Sequence, residues 1–531
     1  MEATPNQDAA QPEAAGSPPA RAPLEIELKL AGSAEALATL RSAELVLRHA
    51  RNRGVVRRLE ATYYDTQDCL LDRNGLSLRV RRSGRRHVQT LKRAVRGGDP
   101  LARDEWEVSL PDERLDLSLL PLAEIGEPLA SLPAAQLSPV FATRVRRRAQ
   151  KLDFAGALIE IALDDGTIEA GDRRAELCEV ELELKAGEAA ALYEFGLALL
   201  ELAPLQVETA SKAARGYRLA FDDRPQAQKA KPVAIVAEDN VDAAIAKILG
   251  NGQRHLMANL GPVVAGGSPE AVHQMRVSLR RLRTALSLFG RELAPPALAP
   301  IAVEAKRLAT LLGPARNWDV FVTQTLPGIA KDGLAGIDLS SLEEAAAPLR
   351  GESHAAVHAA LAGPRVNRFL LGFGALLERR GWRNGIASEA LAVLAEPVGS
   401  FAARVLARSH RKSLRRGRHF ARLAPEARHE LRLSLKKLRY TAEFFLPLYA
   451  GQSAARKYLA RLEKLQEALG AANDTATTQP LLAGLRGGKA LPELDFAAGA
   501  VLGWQRRHEL EAGRKLLKSW RRFEGAAPFW S

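Results

Sequence analysis

Leu24-Glu25-Ile26-Glu27-Leu28-Lys29-Leu30 alternates apolar and charged residues without a break, and Glu179-Val180-Glu181-Leu182-Glu183-Leu184-Lys185 repeats the pattern much later. Successive strand side chains point to opposite faces, so Glu25, Glu27 and Lys29 share one face and the leucines and isoleucine the other. Carboxylates two apart on a strand repel, and Glu and Lys form strands poorly, so such a row is costly to assemble without a neutralising cation. A solvated sheet face is the usual fate of one alternating strand. Two such rows, with arginine-bearing strands between them, favour an enclosed site instead.

The chain has 531 residues, too many for one ordinary core; roughly 100 to 200 residues per domain predicts two to four units. Its net charge of +14 points to an anionic partner. Aromatic residues make up only 5%, which weighs against a surface that stacks single-stranded bases, and no nucleic-acid reading motif is evident, so nucleic acid is the disfavoured partner. Cys69 and Cys178 are too few for a disulfide framework and wrongly spaced for zinc. With no apolar run of about 18 residues and no secretory leader, the expectation is a cytoplasmic protein with no membrane contact.

The coarse organisation changes once along the chain. Residues 1–23 read as a disordered tail. From 24 to 220, short strands dominate: Glu25–Leu30, Val55–Tyr64, Leu76–Arg82, His87–Arg93, Arg103–Ser109, Thr143–Phe154, Ala157–Leu163, Ile168–Ala170 and Leu177–Lys185. Asn74-Gly75, Gly97-Gly98-Asp99-Pro100 and Asp165-Gly166 are predicted turns, and helical patterns intervene at Ser33–His49 and Glu188–Leu202. Residues 221–236 read as a polar linker. From 237 to 523, Ala, Leu and Arg recur at helical period, which predicts an all-helical domain.

By parity, one face of the strand-rich domain collects Glu25, Glu27 and Lys29, Arg79 and Arg81, Lys92, then Arg103, Glu105 and Glu107. Arg147, Asp164, Glu179, Glu181, Glu183 and Lys185 join from later strands. The opposite faces are aliphatic and need a core, which leaves the charged faces to line a nearly closed interior. Arginine forks and lysines grip phosphate oxygens, and carboxylates hold a hard divalent cation, so the lining suits a polyphosphate held with metal. No Ser-His-Asp or Cys-His arrangement is evident, so water is the expected nucleophile.

These residues resemble a known family. Glu25-Ile26-Glu27-Leu28-Lys29 is similar to the Glu-x-Glu-x-Lys signature of the CYTH superfamily, the triphosphate tunnel metalloenzymes. Tyr63-Tyr64-Asp65-Thr66, the Arg79/Arg81 strand, Leu91-Lys92, Ile161-Ala162-Leu163-Asp164, the Glu179/Glu181 strand and Ser211-Lys212 follow in the family's order. The resemblance implies an antiparallel eight-stranded tunnel that hydrolyses triphosphates with Mg²⁺ or Mn²⁺. It implies catalytic roles for Glu25, Glu27, Lys29, Arg79 and Arg81, and substrate contacts for Lys29, Arg79, Arg81, Lys92, Arg147 and Lys212, with Arg103 and Lys185 as secondary candidates. Glu25, Glu27, Asp164, Glu179 and Glu181 would hold metal, with Glu183 secondary. Within Arg144-Val145-Arg146-Arg147-Arg148 the register is open by a residue or two, and Arg147 is preferred over Arg146.

The helical domain repeats itself. His273-x-x-Arg276-x-x-x-Arg280-Arg281-x-Arg283 recurs at identical spacing as His429-x-x-Arg432-x-x-x-Lys436-Lys437-x-Arg439. Leu312-Gly313-Pro314-Ala315-Arg316-Asn317-Trp318-Asp319 is echoed by Leu469-Gly470-Ala471-Ala472-Asn473-Asp474, which predicts two related bundles of about four helices. Charged helix faces usually mix signs, and these barely do, so the stripes suit a long polyanion. The region resembles the CHAD domain, which implies inorganic polyphosphate as partner and association with polyphosphate granules. Phosphate hydrogen bonding, including as an imidazolium, is favoured for His273 and His429 over metal ligation, because the neighbouring cations repel a metal. The expected fold class is thus an α+β antiparallel eight-stranded β-tunnel followed by an all-α domain. The expected function is metal-dependent hydrolysis of inorganic triphosphate coupled to polyphosphate binding, with two alternatives: a non-catalytic polyphosphate scaffold, or a hydrolase of thiamine triphosphate or a nucleotide.

Overall fold

The computed structural model of the protein describes residues 24–94, 101–266, 268–332, 338–471, 474–485 and 492–530. The predicted tail at 1–23, the turn at Gly97-Gly98-Asp99-Pro100 and Ala472-Asn473 of the second echo lie outside the described residues.

Nine strands form the first half: β1 (Leu24–Ala31), β2 (Val55–Asp65), β3 (Leu76–Ser83), β4 (Arg86–Ala94), β5 (Ala102–Leu110), β6 (Ser138–Phe154), β7 (Ala157–Ala170), β8 (Arg173–Ala186) and β9 (Gln206–Glu208). All pair antiparallel, in the order β5-β4-β3-β2-β6-β7-β8-β1, and β1 then pairs with β5 to close an eight-stranded barrel. One edge of β1 is shared in succession, Leu24–Ile26 pairing with β5 and Lys29–Ala31 with the short β9, which the sequence reading did not foresee.

The barrel is inverted relative to an ordinary one, because its apolar faces point outward and need cover. Helices α1 (Ala34–Ser42), α2 (Glu44–His49), α3 (Ala190–Leu200) and α4 (Lys212–Phe221) supply part of it. Leu28, Leu30, Val180 and Leu182 pack with Leu37 and Leu40 of α1 and Leu192, Tyr193 and Phe195 of α3. Tyr63 and Phe141 pack with Tyr217 of α4, and Leu78, Leu91 and Trp106 with the loop bearing Leu117 and Leu129. At roughly 1.5–3 kcal/mol per buried large side chain, this outer cover is what makes a charged interior tolerable.

Two local expectations are corrected. The helix predicted over Ser33–His49 breaks at Ala43, whose ψ of 129° is extended, giving α1 and α2. The turn predicted at Asp165-Gly166 is absent, and β7 runs through it. Gly166 pairs with Val145, and a Cβ there would lie 2.0 Å from the Arg144 carbonyl oxygen, so this glycine permits close strand approach instead of a turn.

The second half is helical: α5 (Val241–Ala258), α6 (Pro269–Leu293), α7 (Leu298–Val320), α8 (Ser340–Ala362), α9 (Pro364–Glu378), α10 (Val398–Arg416), α11 (Pro425–Phe445), α12 (Ser453–Ala471) and α13 (Pro492–Glu524) are its longer helices. α5 to α8 pack as one group and α10 to α13 as another, with α6 against α11 between them. Among the described residues no helix is long and apolar enough to cross a membrane.

The segment read as a linker is packed down: Val233 and Ile235 are buried in the helical core, and Asn259 Oδ1 accepts from Gln228 N at 3.0 Å. α9 docks on α3. Leu371 enters the core outside the barrel, and Gly374 faces Tyr193 so closely that a Cβ would lie 2.1 Å from its ring. Arg368 Nε to Glu201 Oε1 (2.6 Å) and Arg379 Nε to Glu194 Oε1 (2.9 Å) flank this contact.

Candidate functional site

The period-two rows of β1 and β8 lie side by side inside the barrel, Lys29 paired across the strands with Glu181 and Glu27 with Glu183. They line a cavity of about 230 Å³ together with Arg79, Arg81, Lys92, Arg103, Arg147, Lys185 and Lys212. Glu105 and Glu107 of β5 and Glu160 of β7 complete its acids; Glu160 and the polar Tyr63, Ser77 and Thr90 were not singled out as site residues by the sequence reading. Within 144–148, Arg147 lines the cavity, whereas Arg144 pairs outside it with Glu169.

The interior has two unlike walls. On the wall of β1, β7, β8 and α4, a lysine threads three buried carboxylates: Lys212 Nζ lies 2.8 Å from Asp164 Oδ2, 2.7 Å from Glu181 Oε1 and within hydrogen-bond reach of Glu179. Arg147 grips Asp164 through Nε (2.7 Å) and Nη2 (2.6 Å) and also reaches Glu181. Arg215, one helical turn after Lys212 and missed from sequence, binds Glu179 Oε2 at 3.2 Å. Lys29 bridges Glu27 Oε2 (2.9 Å) and Glu181 Oε1 (3.3 Å). Burial, then Glu181, raises the Glu27 carboxyl, which hydrogen-bonds Glu181; Glu181 itself is held well below the carboxylate range despite burial by Lys212, Arg147 and Lys29. Burial beside the Glu181 charge thus favours the protonated form of Glu27, and the surrounding cations favour the ionised form of Glu181.

The wall of β3, β4 and β5 is short of acid. Arg81 Nη2 meets Glu107 Oε1 at 3.1 Å and Lys92 Nζ meets Glu25 Oε2 at 2.5 Å, but Arg79 lies 4.0 Å from Glu105 and donates mainly to the Tyr63 hydroxyl at 3.3 Å. Arg79 Nε is buried without an acceptor among the described residues. Arg79 is the largest influence lowering Arg81, as expected of like charges held together.

The helical stripes also converge. Arg276 and Arg280 of α6 and Arg432 and Arg439 of α11 surround Lys436, which burial first and then these guanidinium groups push down to about 7. Arg276 falls to about 10 through burial, Arg280 and Arg316. The repeated glycines lie beside the stripe: a Cβ at Gly313 would sit 3.4 Å from Arg276 Nη1, and one at Gly470 3.9 Å from Arg432 Nη2, both ordinary contacts. Burial, then Arg316, lowers His273, which favours its neutral imidazole. Arg281 does not join the stripe: it is buried, ion-paired with Glu443 and covered by Phe444 at 5.3 Å. Arg283 and Lys437 line a different cavity, against α10.

With this geometry in view, the family comparisons are decisive. Residues 23–217 match the CYTH domain model and residues 247–483 the CHAD domain model. The chain carries a CYTH domain followed by a CHAD domain. An inorganic triphosphatase of Haemophilus influenzae is 32% identical over 161 residues, 30% of this chain and 45% of that relative, so the match spans less than half of the relative's length. The CHAD domain from the plant Ricinus communis is 29% identical with a TM-score of 0.48, covering 57% of this chain and 98% of that one. HpAC1 from Hippeastrum, described with a dominant triphosphatase activity, is 18% identical with a TM-score of 0.29, covering 36% of this chain and 95% of that one.

The CYTH tunnel offers a donor set suited to a hard cation. Ligand oxygens of Asp164, Glu179 and Glu181 lie within 4.8 Å of one another and all three residues are buried. All-oxygen, carboxylate-rich sets are what Mg²⁺ and Mn²⁺ take.

Proposed function

We propose that the CYTH tunnel hydrolyses inorganic triphosphate to pyrophosphate and phosphate with a divalent cation, and that the CHAD stripe binds inorganic polyphosphate. The observation that carries the first part is the division of the tunnel: one wall of buried carboxylates tied up by lysines, facing another where Arg79 Nε has no acceptor among the described residues and stands beside a like charge. An anion supplies what the second wall lacks, and a cation replaces what now neutralises the first.

Arg79, Arg81, Lys92 and Arg147 would grip the phosphate oxygens, and Lys29 and Lys212 would hold charge near the transferred group. Both lysines are raised by their carboxylate partners despite burial, so each stays protonated at neutral pH. Asp164, Glu179, Glu181, Glu27 and Glu25 would hold Mg²⁺ or Mn²⁺, which supplies charge neutralisation and Lewis acidity when bound. The pre-set guanidinium and ammonium groups stabilise charge on the equatorial oxygens as the terminal phosphorus passes from the bridging oxygen to a water oxygen. Water adds across one phosphoanhydride bond, and no enzyme nucleophile is needed.

For the helices, the support is Lys436, which stands among four arginines and itself meets no carboxylate among the described residues, a cost that a polyanion relieves. Side-by-side phosphate release from triphosphate, ATP, thiamine triphosphate and long polyphosphate, with Mg²⁺ or Mn²⁺, tests the reading. Release should be fastest from inorganic triphosphate and vanish with a chelator. Polyphosphate binding without any release would select the scaffold alternative.

A further inference from the structure

The repeat pairs more than the stripes. Extending its register from Arg283 and Arg439 by four residues sets Ser287 of α6 against Glu443 of α11, and Thr284 and Leu288 against Tyr440 and Phe444. The two helices pack together, Arg280 Nε donating to the Tyr440 hydroxyl at 3.2 Å, so each repeat-related position has a definite place in the pair.

One side of the pair is self-satisfied. Arg281 and Arg439 share the Glu443 carboxylate, Arg281 through Nη1 and Arg439 through Nε at 3.2 Å, and both guanidinium groups lie over the Tyr440 ring. On the other side the counterparts of Arg281 and Arg439 are Lys437 and Arg283, and the counterpart of the glutamate is Ser287, which is short and uncharged. Among the described residues no aromatic ring lines that side; Thr284 and Leu288 stand in the ring positions. A cavity of about 450 Å³ results, completed by Arg291 and by Lys412 of α10.

The cavity carries an unmet need for negative charge. Arg408 and Arg416 in its wall are taken by Glu292 and Glu430. The side chains of Arg283, Arg291, Lys412 and Lys437 make no hydrogen bond or ion pair among the described residues. Burial, then Arg416, Arg291 and Lys437, lowers Lys412, which is the signature of cations held together without a counter-charge. Like charges gathered on three packed helices are unfavourable unless something anionic joins them.

We propose that this cavity binds a compact phosphate-type oxyanion, inorganic phosphate or pyrophosphate, which supplies at Arg283 and Lys437 the charge that Glu443 supplies at Arg439 and Arg281. The site is separate from the tunnel and holds whether or not the tunnel turns over. It is also not a stretch of the polyphosphate stripe, because Arg276, Arg280, Arg432 and Lys436 do not line this cavity.

The test is lysine acylation of the full-length protein read peptide by peptide. Pyrophosphate at about ten times its Kd should slow labelling of Lys412 and Lys437 about tenfold. Ser287→Glu should abolish that protection while leaving melting temperature unchanged or higher, since its carboxylate takes the ligand's place. Ser287→Gln, of the same size without the charge, should keep it. Absence of protection in the unmodified protein, protection by long polyphosphate alone, or equal behaviour of the Glu and Gln variants would overturn the proposal.

Discussion

The tunnel and the helical stripe both concentrate cations, and they keep them in opposite ways. In the tunnel most cations meet a buried carboxylate, and Lys29 and Lys212 are raised as a result. In the stripe cations meet cations, and Lys436 and Arg276 are lowered. A paired interior is part of what holds the fold and must be rearranged by a ligand, whereas a lysine crowded by like charges is a standing cost that a ligand relieves. The same residue types therefore contribute stability in one region and take it away in the other.

Removing a tunnel cation should have the largest effect. Lys212→Met leaves Asp164, Glu179 and Glu181 without their common partner, and breaking a buried set of this kind costs about 3–5 kcal/mol. Urea unfolding in the presence of a chelator would measure it, and Mn²⁺ should recover part of the loss if these acids bind metal. Next comes Glu181→Gln, which touches Lys29, Arg147, Lys212 and Glu27; triphosphate hydrolysis should fall at least about 100-fold. Unchanged phosphate release from this variant would remove the acid wall from the chemistry.

The stripe should answer with the opposite sign. Lys436 sits at about 7 in the folded chain against an ordinary 10.5, so the native state binds fewer protons than the unfolded one between those values and stability rises with pH across that window. Lys436→Met should therefore raise the melting temperature at pH 7 and below, with the gain fading towards pH 10.5, while polyphosphate binding weakens. A destabilised Lys436→Met at pH 7 would erase the contrast between the two regions. The smallest change belongs to the exposed pair between them: Arg368→Ala, which loses its contact to Glu201, should shift stability by no more than about 1 kcal/mol in thermal unfolding.

The contrast also explains what the sequence made legible. The alternation in 24–30 and 179–185 is a local pattern, and parity alone put both rows inside a closed sheet with their acids and bases in contact. The repeat was equally local, so both stripes could be found by sliding the chain against itself. Gly166 was misread because an Asp-Gly pair looks like a turn from composition, and only the nearness of the Arg144 carbonyl, more than 20 residues away, makes it a strand glycine. Arg281 was grouped with the stripe because its partner Glu443 is 162 residues distant. Arg215 and Glu160 lay just outside the quoted segments Ser211-Lys212 and Ile161-Ala162-Leu163-Asp164 on the same elements, and β9 was too short to show a period.

Leu371 carries a consequence for how such chains can be assembled. It grows from a CHAD helix yet sits in the oily jacket of the CYTH barrel, with Gly374 and Tyr193 fitted beside it. A fragment ending near residue 220 would keep every tunnel side chain and still be left with an uncovered socket on its flank. Recombining this tunnel with a foreign neighbour would therefore demand a replacement plug, and the two modules are better regarded as joinery cut to match than as beads on a string.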